Sequence, residues 1–247
     1  MRIAAVFALV LGLAVTAAAQ APSWSYAGKS GPINWGRLDP ANSACSQGRE
    51  QSPVDIRGAR ADKGLTPLDF HFLSGPVTME NTGNQIVAHI RPGGTLTAEG
   101  VQYQLQDIVF HHPSEHPVKG QFTDMDLDMM YKSADGKAAA VSVRLTLERG
   151  SANAIIASLW EHMPAAPGGK EEVSEPVNMG GLLPPDRSYW TYTGSLTNPP
   201  CTEGVRWYIL EQPLSVSREQ VRQFVSMFRI NSRPLQETRG RKIRAFE

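Results

Sequence analysis

Asp124, Asp126 and Asp128 stand two residues apart, and so do Asp107, Val109 and His111. Side chains alternate along a strand. A regular strand over each segment therefore puts the three aspartates on one face and aligns Asp107, Val109 and His111 on one face, with His112 opposite. Carboxylates gathered in this way need a cation, protons or hydrogen-bond donors. One answer is an ion that prefers oxygen ligands, such as calcium, magnesium or manganese. Another is a guanidinium: Arg144 lies in the apolar run 140–145 and could pair with Asp128. The plain alternative leaves Asp124 and Asp126 in water at a rim, with Arg144 snorkelling outward. His71 and His89 carry no assignment, and either could sit on the surface. The chain has no Gly-x-Ser-x-Gly elbow and no phosphate loop.

The elements that must hold these residues are mostly strands. Short β-rich runs recur at 86–90, 101–106, 139–147 and 207–210, separated by Gly, Pro, Asn and Asp. That pattern predicts a mainly β domain. Helical periodicity is confined to two stretches. Residues 153–162 are amphipathic, and residues 217–227 more clearly so. In the second, Ser217 and Gln220 have capping-box spacing, and Val221, Phe224 and Val225 supply an apolar face.

The 247 residues begin with Met1 and the basic Arg2, followed by an alanine-rich apolar stretch and small-x-small sites at 17–19 and 19–21. This predicts a signal peptide over residues 1–21, since the stretch falls short of the ~20 residues of a membrane span. Residues 22–247 then form one domain, exported to a periplasm or beyond the cell. Formal net charge is zero and no basic block occurs, which argues against nucleic acid as a partner. Two cysteines, Cys45 and Cys201, are present. In an exported chain such a pair reads as a disulfide, with two free thiols as the alternative.

Several motifs occur together: Trp24 and Tyr26; Gly31, Pro32, Asn34 and Trp35; Cys45, Gln51, Ser52 and Pro53; Pro113, Ser114, Glu115 and His116; Asn198, Pro199, Cys201, Glu203 and Trp207; Asn231, Arg233 and Pro234. In this order and spacing the chain resembles the secreted bacterial branch of the α-class carbonic anhydrases over nearly its whole mature length. The resemblance implies a large, twisted, mostly antiparallel central sheet with a few short peripheral helices. It also implies a conical cleft reaching the middle of the sheet. The family reaction is reversible hydration of CO2 to bicarbonate, with zinc lowering the pKa of a bound water to ~7.

Registered on Pro113 to His116, the three zinc-ligand positions fall on Val109, His111 and Asp128. Two of the three imidazoles are therefore lost, and zinc is expected to be weakly bound or absent. Asp107 and Asp126 stand where the family has longer side chains that orient the first and third ligands. Asn84 stands where efficient members have a proton-shuttling histidine, and an amide relays no protons. Glu115 and Thr197 match the pair that orients the zinc-bound hydroxide. Leu196, Val205 and Trp207 match the CO2 pocket. His116 and His162 fit structural positions. The expected protein is a carbonic-anhydrase-like binding or structural module of weak or no activity. The alternatives are an active enzyme with an atypical metal site, and another metal-dependent enzyme using His111 and the Asp cluster.

Overall fold

The computed structural model describes residues 24–147 and 152–247. The predicted leader, residues 1–21, lies outside them. Thirteen strands are present among the described residues: β1 (Arg60–Ala61), β2 (Asp69–Phe72), β3 (Gly75–Asn81), β4 (Ile86–Ile90), β5 (Gly94–Ala98), β6 (Val101–His111), β7 (Met125–Ser133), β8 (Ala138–Leu147), β9 (Lys170–Val177), β10 (Tyr189–Ser195), β11 (Glu203–Leu210), β12 (Leu214–Val216) and β13 (Arg244–Phe246). They form one sheet whose main path runs β1-β13-β10-β11-β8-β7-β6-β4-β3-β9. Most neighbours are antiparallel; β1 with β13, and β11 and β12 with β8, run parallel. Short helices α1 (Trp35–Leu38), α2 (Ala44–Gln47), α3 (Ala154–Glu161) and α4 (Arg218–Met227) lie outside the sheet. No helix among the described residues is long and apolar enough to cross a membrane.

Strand alternation sorts the middle of this sheet into two faces. Ile86, Ala88 and Ile90 on β4, Ile108 and Phe110 on β6, and Leu127 and Met129 on β7 are buried in the main apolar core. Their neighbours Val87, His89, Asp107, Val109, His111, Asp126 and Asp128 project to the other face. The register pairs Val109 with Asp128 and His111 with Asp126 across β6 and β7. A one-residue slip would exchange the two sets, so the buried core fixes which side chains face the other way.

Two helices lock the core side. Phe110 meets Trp160 of α3 edge-on at 4.7 Å, and Trp160 stacks on Phe224 of α4 at 5.8 Å. Burying each of these rings is worth about 1.5–3 kcal/mol. α4 starts with the full capping box, Ser217 accepting from Gln220 N and the Gln220 side chain accepting from Ser217 N. Gln220 Nε2 also donates to Asn153 O at the start of α3, so one side chain ties both helix starts together. Asn153 caps α3 by accepting from Ile155 N and Ile156 N.

Cys45 of α2 is bonded to Cys201 in the β10–β11 connection, closing a separation of 156 residues. Replacing both by serine (Cys45→Ser with Cys201→Ser) is expected to lower the unfolding free energy by about 2–5 kcal/mol, read as a lower urea midpoint, with a steeper slope because the unfolded chain without the cross-link exposes more surface.

Candidate functional site

A cleft of about 700 Å³ opens on the face of β4, β6 and β7 opposite the core. Val87, Val109, Leu196 and Val205 give it apolar walls, and Thr197, His89 and Asp107 give it polar ones. His111 and Asp128 lie at its floor and are each 1% exposed. Trp207, matched by sequence to the same pocket, is buried behind the wall. Its ring packs 4.6 Å from His116 and its Nε1 donates to Ser195 O.

His111 is oriented from behind. Its Nδ1 donates to Asn231 O at 2.8 Å. Asn231 is itself pinned, donating to Phe110 O and accepting from His112 N. Nε2 is thus left with a bare lone pair, 3.7 Å from Asp128 Oδ2. Burial lowers the His111 pKa, against the pull of Asp128, so the ring is the neutral, ligand-ready form.

The segment 231–233 also holds Glu115, whose Oε1 accepts from Arg233 N at 2.9 Å. The buried Arg233 guanidinium points elsewhere, to Gln51 Oε1, Ser52 O and Cys45 O. Asn231 and Arg233 appear in the sequence only as part of a motif. Their positioning roles need the C-terminal segment to lie along the end of β6, which no local pattern reveals.

Three carboxyl groups meet beside this imidazole. Asp126 Oδ2 accepts from Glu115 N at 2.7 Å. Asp126 Oδ1, Glu115 Oε2 and both oxygens of Asp128 are buried without a hydrogen-bond partner. Burial pushes Asp128 up to about 7, with His111 opposing and Glu115 adding. It pushes Glu115 to about 7 as well, against the Arg233 N–H and the adjoining Thr197 hydroxyl. Burial also raises Asp126 well above the usual range, and the charges of Asp128 and Glu115 add to it. One ligand atom each from His111, Glu115 and Asp128 lies within 4.8 Å of the others, so the group can hold a metal ion.

The structure corrects two expectations. Arg144 does not pair with Asp128. It stands opposite Asp126 in the register of β7 and β8, but its guanidinium donates to Glu211 O and Leu210 O and lies over Trp190 at 5.5 Å. Two carbonyls and an aromatic face at the sheet's end are nearer than the buried carboxylates. Asp124 does not share the face of Asp126 and Asp128. It precedes the first residue of β7, where strand alternation does not yet hold, and accepts from Leu147 N at 2.9 Å. His89, left without an assignment by the sequence, is half-buried on the cleft wall. Its Nδ1 is 2.7 Å from Asp107 Oδ1 and its Nε2 is 2.9 Å from Glu80 Oε2. Lys170 Nζ completes the row, 3.0 Å from Glu80. Burial would raise the Glu80 pKa, but Lys170 and His89 more than offset it and hold it below the usual value. Asp107 therefore orients no ligand on Val109's strand; it is held by His89 across the β4–β6 register.

Asn84 is buried and donates to Trp24 O. His116 is buried against Tyr192, its Nε2 2.8 Å from the Tyr192 hydroxyl, and burial lowers its pKa to about 3. His112 Nδ1 donates to Arg229 O, away from His111.

A sheet of this order, with a cleft on its middle strands and a back-bonded imidazole at the floor, is the architecture of an α-type carbonic anhydrase. A model of the eukaryotic-type carbonic anhydrase family matches residues 30–247. The chain belongs to the α-class carbonic anhydrase family. Similar proteins include a carbonic anhydrase of Pectobacterium carotovorum, 38% identical over 238 residues that cover 96% of each chain. A carbonic anhydrase of Nostoc is 31% identical, covering 92% of this chain and 87% of that one. Among solved structures, the α-carbonic anhydrase of Thermovibrio ammonificans with the inhibitor sulfanilamide has a TM-score of 0.86 at 33% identity, covering 90% of this chain and 98% of that one. Dioscorin complexed with ascorbate has a TM-score of 0.83 at 33% identity, covering 91% and 98%.

Zinc enzymes of this class need three protein ligands and one open position. The floor here offers one imidazole and carboxylates, and Val109 has no donor atom. This is a different donor set from three imidazoles, richer in oxygen and in negative charge.

Proposed function

We propose that the protein is an exported member of the family that no longer hydrates CO2 and uses its cleft as a binding site. Val109 carries this reading. It faces the cleft beside His111 and opposite Asp128, at the first of the three ligand positions. An aliphatic side chain donates no electron pair, and its methyl groups take up space a ligand ring would need. His111 and Asp128 are then a vestigial pair, too few for a hydrating zinc, and the residues present do not fit that ion. Glu115 and Thr197 have no zinc-bound hydroxide to orient. Leu196, Val205 and Trp207 remain as wall and packing, and CO2 or bicarbonate as family substrates find no activated water.

Other observations support the same reading. Asp107 is committed to His89 and Asn84 to Trp24, so the two positions where the family has a ligand-orienting amide and a proton-shuttling histidine serve neither role. Dioscorin, a protein of this fold complexed with ascorbate, supports the idea that the fold can serve binding. The leader-like residues 1–21 and the Cys45–Cys201 bond support a periplasmic or secreted location.

The test is metal analysis and CO2 hydration on protein made without a histidine tag. The expected result is far less than one zinc per chain and hydration no faster than buffer. One zinc per chain together with hydration blocked by a sulfonamide would overturn the proposal and favour an active enzyme with an atypical site.

A further inference from the structure

We propose that the floor of the cleft is an oxygen-dominated divalent-cation site, formed by His111 Nε2, Asp128 and Glu115, that takes an ion of the manganese and magnesium class. This inference rests on the reading that the zinc ligands are lost.

The unsatisfied atoms point to a cation. Among the described residues seven buried side-chain atoms lack a partner, and four of them are carboxylate oxygens of Glu115, Asp126 and Asp128. A fifth is Oγ of Ser142, which stands opposite Asp128 in the β7–β8 register. Buried polar groups are nearly always bonded, so such a concentration in one place requires an explanation. Asp128 is the sharpest case. It is 1% exposed, lines the cleft floor, and has neither oxygen in a well-formed hydrogen bond, with only the Ser142 hydroxyl adjoining the carboxylate.

Among the described residues no lysine or arginine makes an ion pair with these carboxylates, although the charges of Arg144 and Arg233 are felt at Asp126 and Glu115. Arg144 is spent on Leu210 O and Glu211 O, and the Arg233 guanidinium on Gln51, Ser52 and Cys45. Within the described residues only His111 brings a basic nitrogen within 4.0 Å of Asp128.

The spacing favours an ion over a shared proton. His111 Nε2 and Asp128 Oδ2 are 3.7 Å apart, too far for a hydrogen bond. Two ligands about 2.1–2.3 Å from an octahedral ion, at 90°, stand about 3.0–3.3 Å apart, so Asp128 closes on His111 by roughly half an ångström when the ion binds. The imidazole is already oriented for this task by Asn231 O behind Nδ1, as metal-bound histidines are. Glu115 is held by Arg233 N through Oε1, and Oε2 makes no well-formed hydrogen bond although the Thr197 hydroxyl adjoins the carboxylate.

The donor set selects the class of ion. One nitrogen and two carboxylates, with water completing the shell, suit an ion that accepts six ligands and favours oxygen. Zinc retains a general affinity advantage at any nitrogen-containing site, so selectivity here is a matter of too few nitrogen ligands and of an octahedral rather than tetrahedral shell.

The experiment uses the mature protein, stripped with chelator and titrated with Mn2+ by calorimetry and by the electron spin resonance signal of free Mn2+. Asp128→Asn and Glu115→Gln are titrated beside it, with their thermal melts recorded to show that they fold. The expected result is one Mn2+ per chain, a melting temperature that rises with added Mn2+, and at least a tenfold weaker affinity in each variant, since loss of a direct ligand should cost no less than loss of an outer-shell partner. Absence of binding at millimolar Mn2+ overturns this inference and leaves the loss of hydration standing. Binding unchanged in both folded variants overturns it too, because the ion then sits elsewhere. One zinc per chain with CO2 hydration overturns both readings together.

Discussion

Replacing Val109 and Asp128 together by histidine is expected to restore one zinc per chain. Both positions face the cleft floor, and both are paired in register across β6 and β7, so the new rings would enter from neighbouring strands beside His111. The third ligand needs no repair, since His111 already has its Nδ1 bonded to Asn231 O. Val109→His alone should give a partial recovery. Two imidazoles and the Asp128 carboxylate make a donor set that catalytic zinc sites use. Asp128→His alone also supplies two imidazoles, but leaves Val109 against the ion. The expected order of zinc affinity is wild type, Asp128→His, Val109→His, then the double variant. Hydration in the double variant should stay below that of a complete site, because Asp107 is bonded to His89 and Asp126 to Glu115 N. Adding Asp107→Gln and Asp126→Glu should raise affinity or activity by about 10–100-fold. Metal analysis by mass spectrometry and stopped-flow hydration read these outcomes. A folded double variant that takes up no zinc would show that the floor has changed shape beyond its ligands.

Local signals in the chain carried the elements but not the partners of the charged groups. The run 86–90 is β4 to the residue, because branched and apolar side chains there are bounded by Asn84 on one side and Pro92 on the other. Ser217 and Gln220 mark the start of α4 because a capping box is made within four residues. Cys45 and Cys201 were legible as a pair because no third cysteine competes. Arg144, Asp124 and His89 were not legible in this way. Arg144 was placed by its strand, but its guanidinium reaches past the strand end to carbonyls 66 and 67 residues away in sequence. Asp124 was placed by a spacing of two that holds only once β7 has begun at Met125. His89 shares a face with Val87 by alternation. Its tie to Asp107 exists only because β4 lies beside β6, and its tie to Glu80 only because the ring also reaches β3. Contacts set by which strands are neighbours are fixed by the whole sheet, and a sequence window does not contain them.

In the presence of chelator, Asp128→Asn is expected to stabilise the protein, and to do so more as pH rises. Asp128 and Glu115 are buried carboxyl groups raised to about 7, against an unfolded value near 4. The folded chain therefore holds protons that the unfolded chain releases. A group raised in this way favours the fold fully below about pH 4, and that contribution is lost as pH climbs through about 7. His111 and His116 have the opposite sign: buried neutral, they weaken the fold as pH falls below about 6.5. Comparing wild type with Asp128→Asn at each pH removes most of the histidine contribution, which both proteins share. A rise of about three units in one isolated group corresponds to roughly 4 kcal/mol at 1.36 kcal/mol per unit. Part of the Asp128 shift comes from the Glu115 charge beside it, and Glu115 stays buried in the variant, so the expected gain at pH 8 is a few kcal/mol, falling toward zero near pH 4. Urea melts at pH 4, 6 and 8 measure it. Mn2+ at pH 8 should reverse the ranking, because an ion neutralises the very carboxylate whose burial is costly and finds no such ligand in the variant. A difference that stayed flat with pH would mean that Asp128 is ionised and paired at all of these values.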